Sequence, residues 1–200
     1  MTNVKEELGQ IHLALAADTR MCLTLMESAD QSDATRIQFL RRTFVRAAFA
    51  HIEGVIYAMK QFAYEYRIQP EPPSARPESA LLLEEAYELT DKGDVRVVSA
   101  KIPFLKNIKF AFKTFARAGH SDYELPTNAR GWEKLQASIK VRDRLMHPKS
   151  VDDTVINESE HSTVLYASSW FMTCAKECIG GVKALVRYEV VFRPPESQQD

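Results

Sequence analysis

The sequence predicts an all-α protein, an up-and-down bundle of five to six helices. Apolar residues recur at spacings of three and four along most of the 200-residue chain, which is the period of an amphipathic helix. The seven glycines are too few for a Gly-rich nucleotide-binding fold or a many-stranded barrel. Apolar residues at 45% and charged residues at 26% exclude a disordered or collagen-like chain. We predict one domain over 1–192 and a flexible tail over 193–200.

The first two helices are predicted over residues 4–28 and 34–67. Asp33 stands directly before the second helix, where its side chain can act as the N-cap. The second helix carries the longest periodic pattern in the chain. Gly54 lies inside it, where glycine lowers helix stability by about 1 kcal/mol relative to alanine. Close packing against another helix would explain a glycine at this position. The apolar stripe consists of Ile37, Leu40, Phe44, Ala48, Ile52, Val55, Met59, Phe62 and Tyr66.

A proline-rich segment separates the second helix from the middle of the chain. Residues 70–77 contain four prolines and form a loop. A short acidic helix is predicted over 77–90, with Pro77 in its first turn, and a turn follows at 91–94. Residues 95–99 could form one short strand or lead into the next helix, and the pattern leaves both open.

Three longer segments complete the predicted bundle. Pro103 opens a helix over 103–118, and a polar loop follows it. The next helix, over 128–147, ends before Pro148 because a residue that precedes proline is biased away from helical geometry. The last helix is predicted over 157–191.

Charge is unevenly distributed along the chain. The net charge is −1, yet Lys and Arg exceed Asp and Glu by eight over 95–149, which is compatible with an anionic partner. On the helix over 103–118 a basic row opposes the aromatic face, and it could follow an RNA backbone or be a solvated surface. The row consists of Lys106, Lys109, Lys113 and Arg117. The same two interpretations apply to Arg41, Arg42 and Arg46.

Arg142 interrupts the apolar face of the helix over 128–147. At 100° per residue from Leu135, it lies at about 340°, inside the arc that Leu145 and Met146 define. A guanidinium cannot lose its charge there, so it needs a carboxylate, a carbonyl or a bound anion. One interpretation is an ion pair with a buried Asp or Glu that joins two helices, and the other is an anion-binding residue.

His147 lies five residues after Arg142, at the point where Pro148 ends the helix. The imidazole is presented at a helix C-terminus, either as a capping residue or as a reactive group. Asp143 could orient the His or Arg side chain or be a surface acid. Lys149 could contact a phosphate or be a solvated lysine.

The segment Arg142-Asp143-Arg144-Leu145-Met146-His147 resembles the R-x4-6-H motif of HEPN domains, including the polar residue after the arginine. The resemblance covers these six residues and a helical order over most of the chain. It implies an all-α bundle and a metal-independent endoribonuclease without a cofactor, with Arg142, Asp143 and His147 as its catalytic set. HEPN proteins typically dimerise so that two copies of the motif face each other, and many act in toxin–antitoxin or defence systems.

The implied chemistry uses the 2′-hydroxyl of RNA as the nucleophile. His147 would move a proton to or from the reacting oxygens, and Arg142 would hold the phosphate oxygens. On one helix these side chains point about 140° apart, so a two-fold axis near the motif would bring both pairs to one cleft. The predicted partners are therefore a second copy of the chain, RNA and a cognate antitoxin protein. The alternative is a non-catalytic helical module that binds a partner protein or a nucleotide.

Other polar residues carry weaker signals. Cys174 and Cys178 lie one helical turn apart and could bind a metal with His161, but their apolar neighbours favour buried packing, and no metal site is predicted. His51 is expected in the core or on the helix surface, and the loop residue His120 could serve a site.

The remaining expectations concern the cell compartment. Three cysteines in a chain of this length do not form a disulfide framework. No apolar stretch is long enough to span a bilayer, and the N-terminal segment lacks the pattern of a signal peptide. We therefore expect a cytoplasmic protein without a membrane partner.

Overall fold

The computed structural model describes residues 4–66 and 75–182. These form an all-α helical bundle, as predicted, with one additional two-stranded sheet. Within the described ranges, no helix is both long enough and apolar enough to cross a membrane. The elements in chain order are α1 (Val4–Glu27), α2 (Ala34–Glu65), α3 (Arg76–Leu82), β1 (Glu85–Leu89), β2 (Val95–Ser99), α4 (Phe104–Ala118), α5 (Arg130–Met146), a 3-10 turn (Asp152–Thr154) and α6 (Glu158–Gly180).

The start and the packing of α2 follow the sequence prediction. The Asp33 carboxylate accepts a hydrogen bond of 2.9 Å from the backbone N–H of Arg36, which is the N-cap geometry. Gly54 packs directly against α1, since a β-carbon on Gly54 would come within 2.6 Å of Leu15 Cδ1. The close helix contact that the glycine predicts is therefore confirmed.

The described residues divide into two compact units. The first, called the motif unit here, comprises residues 4–55 and 126–176, and the second, the hairpin unit, comprises residues 56–66, 75–125 and 177–182. Each has its own buried core. Fully buried side chains of the motif unit include Phe44, Val45, Ile52, Leu135, Ile156 and Phe171, and those of the hairpin unit include Ile56, Met59, Leu82, Ile108 and Phe112. The predicted single domain over 1–192 stays a prediction, and its tail over 193–200 lies outside the described residues.

The helix predicted over 77–90 is wrong in its second half. Pro77 does lie in the first turn of α3, but α3 ends at Leu82 and the chain continues as strand β1. Glu84 has a φ of 59°, a left-handed conformation that a helix cannot continue through. β1 pairs antiparallel with β2, so of the two alternatives left open for 95–99 the strand is the one observed.

The last helix ends earlier than the predicted bound of residue 191, and the difference already shows within the described residues. α6 ends at Gly180, and Gly181 lies in a turn. Two consecutive glycines lower the helix propensity at this point by about 1 kcal/mol each relative to alanine. The predicted continuation over 183–191 lies outside the described residues.

Candidate functional site

Helix α5 carries the candidate motif, and its buried stripe fixes which residues face outward. Trp132, Leu135, Val141 and Leu145 are buried within the motif unit. The Ser138 hydroxyl is also buried, and it donates a 2.7 Å hydrogen bond to the Lys134 carbonyl oxygen. With this face held in the core, the helix presents Asp143 and His147 to solvent.

Arg142 is held by three neighbouring groups of the motif unit. Its Nη2 donates to Glu53 Oε1 at 2.5 Å, and its Nη1 lies 3.5 Å from Asp143 Oδ1. The guanidinium carbon is 5.4 Å from the centroid of the Phe49 ring, a cation–π distance. The predicted need for a counter-charge is thus met by carboxylates. Their exposed fractions are 47% and 58%, so neither is the buried acid of the first interpretation.

Glu53 is the residue that sequence reasoning missed. It lies on α2, 89 positions before Arg142, and its carboxylate accepts a hydrogen bond from Arg142 Nη2. No local spacing links the two residues, because the contact depends on how α2 and α5 pack within the motif unit. The one available signal is that Glu53 is an acid on the most strongly patterned helix of the chain.

His147 ends α5 and its side chain is exposed. Its backbone N–H donates to the Asp143 carbonyl oxygen at 3.0 Å, and its φ of −131° is no longer helical. The predicted helix end before Pro148 is confirmed. The imidazole is therefore accessible to a ligand, while its backbone is fixed to the last turn of the helix.

The loop after His147 is also fixed. The Asp153 carboxylate accepts hydrogen bonds from the backbone N–H groups of Lys149, at 2.8 Å, and Ser150, at 3.0 Å. The hydrogen bond from Lys149 and those from Ser150 favour the charged carboxylate and lower the pKa of Asp153. Lys149 itself is exposed, so its ammonium group is available on the same stretch of chain as His147.

Three arginines donate hydrogen bonds to the backbone of the segment that leads into α6. The carbonyl oxygens of three consecutive residues accept hydrogen bonds from Arg42, Arg144 and Arg41 at 3.4, 2.9 and 3.1 Å. Those acceptors are Thr154, Val155 and Ile156. Arg41 also pairs with Glu158, and Arg144 pairs with Glu160 at 2.9 Å. Arg41 and Arg42 therefore have a structural role, whereas Arg46 is exposed.

A shallow depression of about 360 Å³ lies between α5 and α6. Its lining combines two basic side chains with one acid, two hydroxyl groups and two apolar residues. Arg142 and His147 do not line it. The lining residues are Ala137, Lys140, Val141, Arg144, Ser159, Glu160 and Thr163.

The predicted basic row belongs to the hairpin unit, on α4. All four side chains are exposed opposite a buried face that contains Phe112 and Phe115. Arg117 forms an ion pair with Glu78 of α3, so its charge is already partly compensated. The exposure suits a solvated surface and a phosphate-binding surface equally. The row is Lys106, Lys109, Lys113 and Arg117.

The other predicted polar residues are mostly core residues. His51 is buried, and its Nε2 lies 3.2 Å from Nδ1 of His12 on α1. His161 is buried, and its ring packs against the Phe44 ring in a T-shaped arrangement with the centroids 5.1 Å apart. Cys174 and Cys178 are buried too, which confirms packing as their role. Over the described ranges, no three His, Cys, Asp or Glu side chains are grouped so that they could hold a metal ion.

Comparisons of the chain with protein-family models, curated proteins and solved structures found no match.

Proposed function

We propose that this chain is a metal-independent endoribonuclease of the HEPN type, acting on RNA as a homodimer in a toxin–antitoxin or defence setting. The observation that carries the proposal is that an exposed histidine and an arginine held by carboxylates lie close together in sequence at the end of one helix. His147 is accessible at the end of α5, and Arg142 is held by Glu53 and Asp143.

The chemistry needs one group to move protons and one to stabilise charge. The 2′-hydroxyl attacks the adjacent phosphate, the 5′-oxygen leaves, and a 2′,3′-cyclic phosphate remains. His147 takes the proton from the nucleophile or gives one to the leaving oxygen. Because the nucleophile belongs to the RNA, this reaction does not require a metal-bound water.

Arg142 would stabilise the phosphate, and its present contacts prepare it for that role. The Arg142 side chain is 28% exposed, and the carboxylates of Glu53 and Asp143 that it contacts both reach solvent. A phosphate could replace one carboxylate while the other still orients the guanidinium, which binds oxyanions bidentately. Pre-organised cations of this kind typically lower the barrier by about 3 kcal/mol.

The test is RNA cleavage by matched histidine variants. We expect His147→Asn to lower the cleavage rate at least about a hundredfold, because asparagine cannot transfer the proton. His120→Asn replaces an exposed histidine of the hairpin unit and should keep the wild-type rate. Activity should persist in EDTA. Equal rates for His147→Asn and wild type, or complete loss in EDTA with rescue by a divalent ion, would overturn the assignment.

A second candidate function is favoured by the ion pair between Arg142 and Glu53. A guanidinium that already has a carboxylate partner and an aromatic neighbour can serve simply to join α5 to α2. The chain would then be a non-catalytic helical module that binds a protein or a nucleotide. This candidate predicts that wild type cleaves no RNA and that Arg142→Lys acts on stability alone.

A further inference from the structure

The depression between α5 and α6 is a candidate ligand site that the proposed nuclease does not use. All seven of its lining residues belong to the motif unit, and Arg142 and His147 are not among them. Its volume of about 360 Å³ lies at the lower end of the range that small-molecule pockets span. The depression can therefore take a compact ligand, and its lining indicates the chemistry of that ligand.

The acid in the lining is neutralised by an arginine. The Glu160 carboxylate contacts both Nη groups of Arg144, with Nη1 at 2.9 Å from Oε1 and Nη2 at 3.0 Å from Oε2. Oε2 also accepts a 3.1 Å hydrogen bond from the backbone N–H of Asn157. Arg144 Nη2 donates in addition to the Val155 carbonyl oxygen at 2.9 Å. This bidentate pair carries no net charge, so Glu160 does not repel an anion as a free carboxylate would.

Two lysines give the depression a net positive charge. Lys140 lines it from α5 with an exposed side chain and forms no ion pair with any residue that the structure describes. Lys134, also on α5, places its Nζ 3.5 Å from Oγ1 of the lining residue Thr163. Because the pair of Arg144 and Glu160 is neutral, these two ammonium groups set the local charge. The depression is therefore suited to an anion.

The wall that α6 contributes supplies hydroxyl groups. Ser159 and Thr163 are four residues apart on α6 and so lie on one side of it. Ser159 is in the first turn of α6, where the helix dipole favours an anion. Ala137 and Val141 repeat at the same spacing on α5 and give that wall an apolar surface. A ligand would thus meet cationic and hydroxyl donors together with a small apolar area.

We propose that the depression binds a small organic phosphate monoester. Its three terminal oxygens each accept hydrogen bonds, which matches the ammonium group of Lys140 and the hydroxyl groups of Ser159 and Thr163. A carboxylate has two such oxygens and a single charge, so it would use these donors less fully. The carbon part of the ester would lie against Val141. The proposal does not rest on the proposed nuclease, whose reaction leaves a cyclic phosphodiester and a free hydroxyl.

Calorimetric titration with adenosine 5′-monophosphate is the first test. We expect a dissociation constant between about 10 μM and about 1 mM, and adenosine, which lacks the phosphate, should bind at least about tenfold more weakly. Ribose 5-phosphate should bind more tightly than inorganic phosphate, because only the ester reaches the apolar wall. Equal affinity for the nucleotide and adenosine, failure of both esters to bind, or tighter binding of inorganic phosphate than of either ester would overturn the proposal.

Matched lysine variants locate the bound phosphate. Lys140→Gln removes one exposed charge and should weaken binding of adenosine 5′-monophosphate at least about tenfold. Lys176→Gln, at an exposed position farther along α6, makes the same change of charge and should bind like wild type. Thr163→Val removes a hydroxyl donor and should also weaken binding. Wild-type affinity in both Lys140→Gln and Thr163→Val would reject the site.

A motif variant separates this site from the proposed nuclease site, which could itself hold a nucleotide. His147→Asn should bind adenosine 5′-monophosphate like wild type, because His147 lies outside the depression. Loss of affinity in His147→Asn together with full affinity in Lys140→Gln would place the nucleotide at the motif and overturn the proposal. These titrations involve no RNA cleavage, so failure of the phosphate site and failure of the proposed nuclease are distinguishable.

Discussion

At the scale of single residues, Arg142, Lys60 and His51 are charged or titratable side chains that the structure buries wholly or in part, and each is accommodated differently. Arg142 keeps its charge and pairs with half-exposed carboxylates. Lys60 is fully buried on α2 and pairs with Glu84, at the base of the hairpin. His51 is buried beside another histidine. The residue type alone predicts that such a side chain needs a polar partner. Which residue serves as that partner is decided by how the helices pack.

His51 should make the stability of the protein sensitive to acid at pH values above those at which carboxylates usually titrate. Burial, together with smaller contributions from the nearby His12 and Arg20, lowers the pKa of His51 to about 4. The unfolded chain, with a histidine pKa near 6.5, binds the proton more readily, so stability present above about pH 6.5 is lost as the pH falls toward 4. We expect the free energy of unfolding to drop by about 2 kcal/mol between pH 7 and pH 5.

Denaturant titrations at the two pH values measure this loss. His51→Gln should remove most of it, since glutamine does not titrate. His120→Gln, at an exposed loop position, should leave the pH dependence as in wild type. His161 is also buried, and burial lowers its pKa, so a residual slope in His51→Gln is expected. An unchanged slope in that variant would show that His51 is not responsible.

The Arg142–Glu53 pair should contribute little to stability. Both side chains reach solvent, and exposed pairs are worth at most about 1 kcal/mol. A double-mutant cycle with Arg142→Gln and Glu53→Gln, each of which removes one charge of the pair, should therefore give a coupling free energy of unfolding of that size. Breaking a fully buried ion pair would instead cost about 3–5 kcal/mol. Arg46→Gln, at an exposed position on α2, is the control. A coupling above about 3 kcal/mol would favour the structural role of Arg142.

At the scale of elements, local signals predicted most helices well. α1, α2, α4 and α5 begin and end within two residues of the predicted bounds wherever these can be compared. Capping residues and prolines explain that success, because they act on the adjacent backbone. The sequence did not predict the hairpin, because its strands depend on pairing with each other and not on local signals. Glu85–Leu89 has an acidic, leucine-containing sequence that also suits a helix, and only its pairing with β2 makes it a strand.

Glycines inside helices give the sharpest prediction at this scale. A β-carbon on Gly131 of α5 would overlap the rigid indole ring of Trp170 in α6. Gly131→Ala should therefore destabilise the protein by about 1–3 kcal/mol despite its better helix propensity. Gly54→Ala meets only the flexible end of Leu15 and should cost clearly less. Thermal unfolding of both variants compares them directly, and a larger loss for Gly54→Ala would contradict this account.

At the scale of the whole molecule, the sequence predicted the all-α class, whereas the division of the described residues into two compact units has no signal in the local pattern. The division depends on contacts between segments far apart in the chain, such as 4–55 with 126–176. The hydrophobic period of a helix shows which face is buried, but it carries no information about which helix buries it. The same limit explains why Arg142 could be singled out and Glu53 could not.

The proposed nuclease dimer makes its strongest prediction when two inactive variants are mixed. Five positions correspond to about 140° on an ideal helix, so in the proposed dimer a working site combines Arg142 of one copy with His147 of the other. In a dimer of Arg142→Lys with His147→Asn, one of the two sites then has both native residues. After equilibration at equal concentrations, half of the dimers are mixed, and about a quarter of the wild-type cleavage rate should return. Each variant alone should stay inactive. If the mixture were as inactive as its components, the site would lie within one chain and the two-fold arrangement at α5 would be wrong.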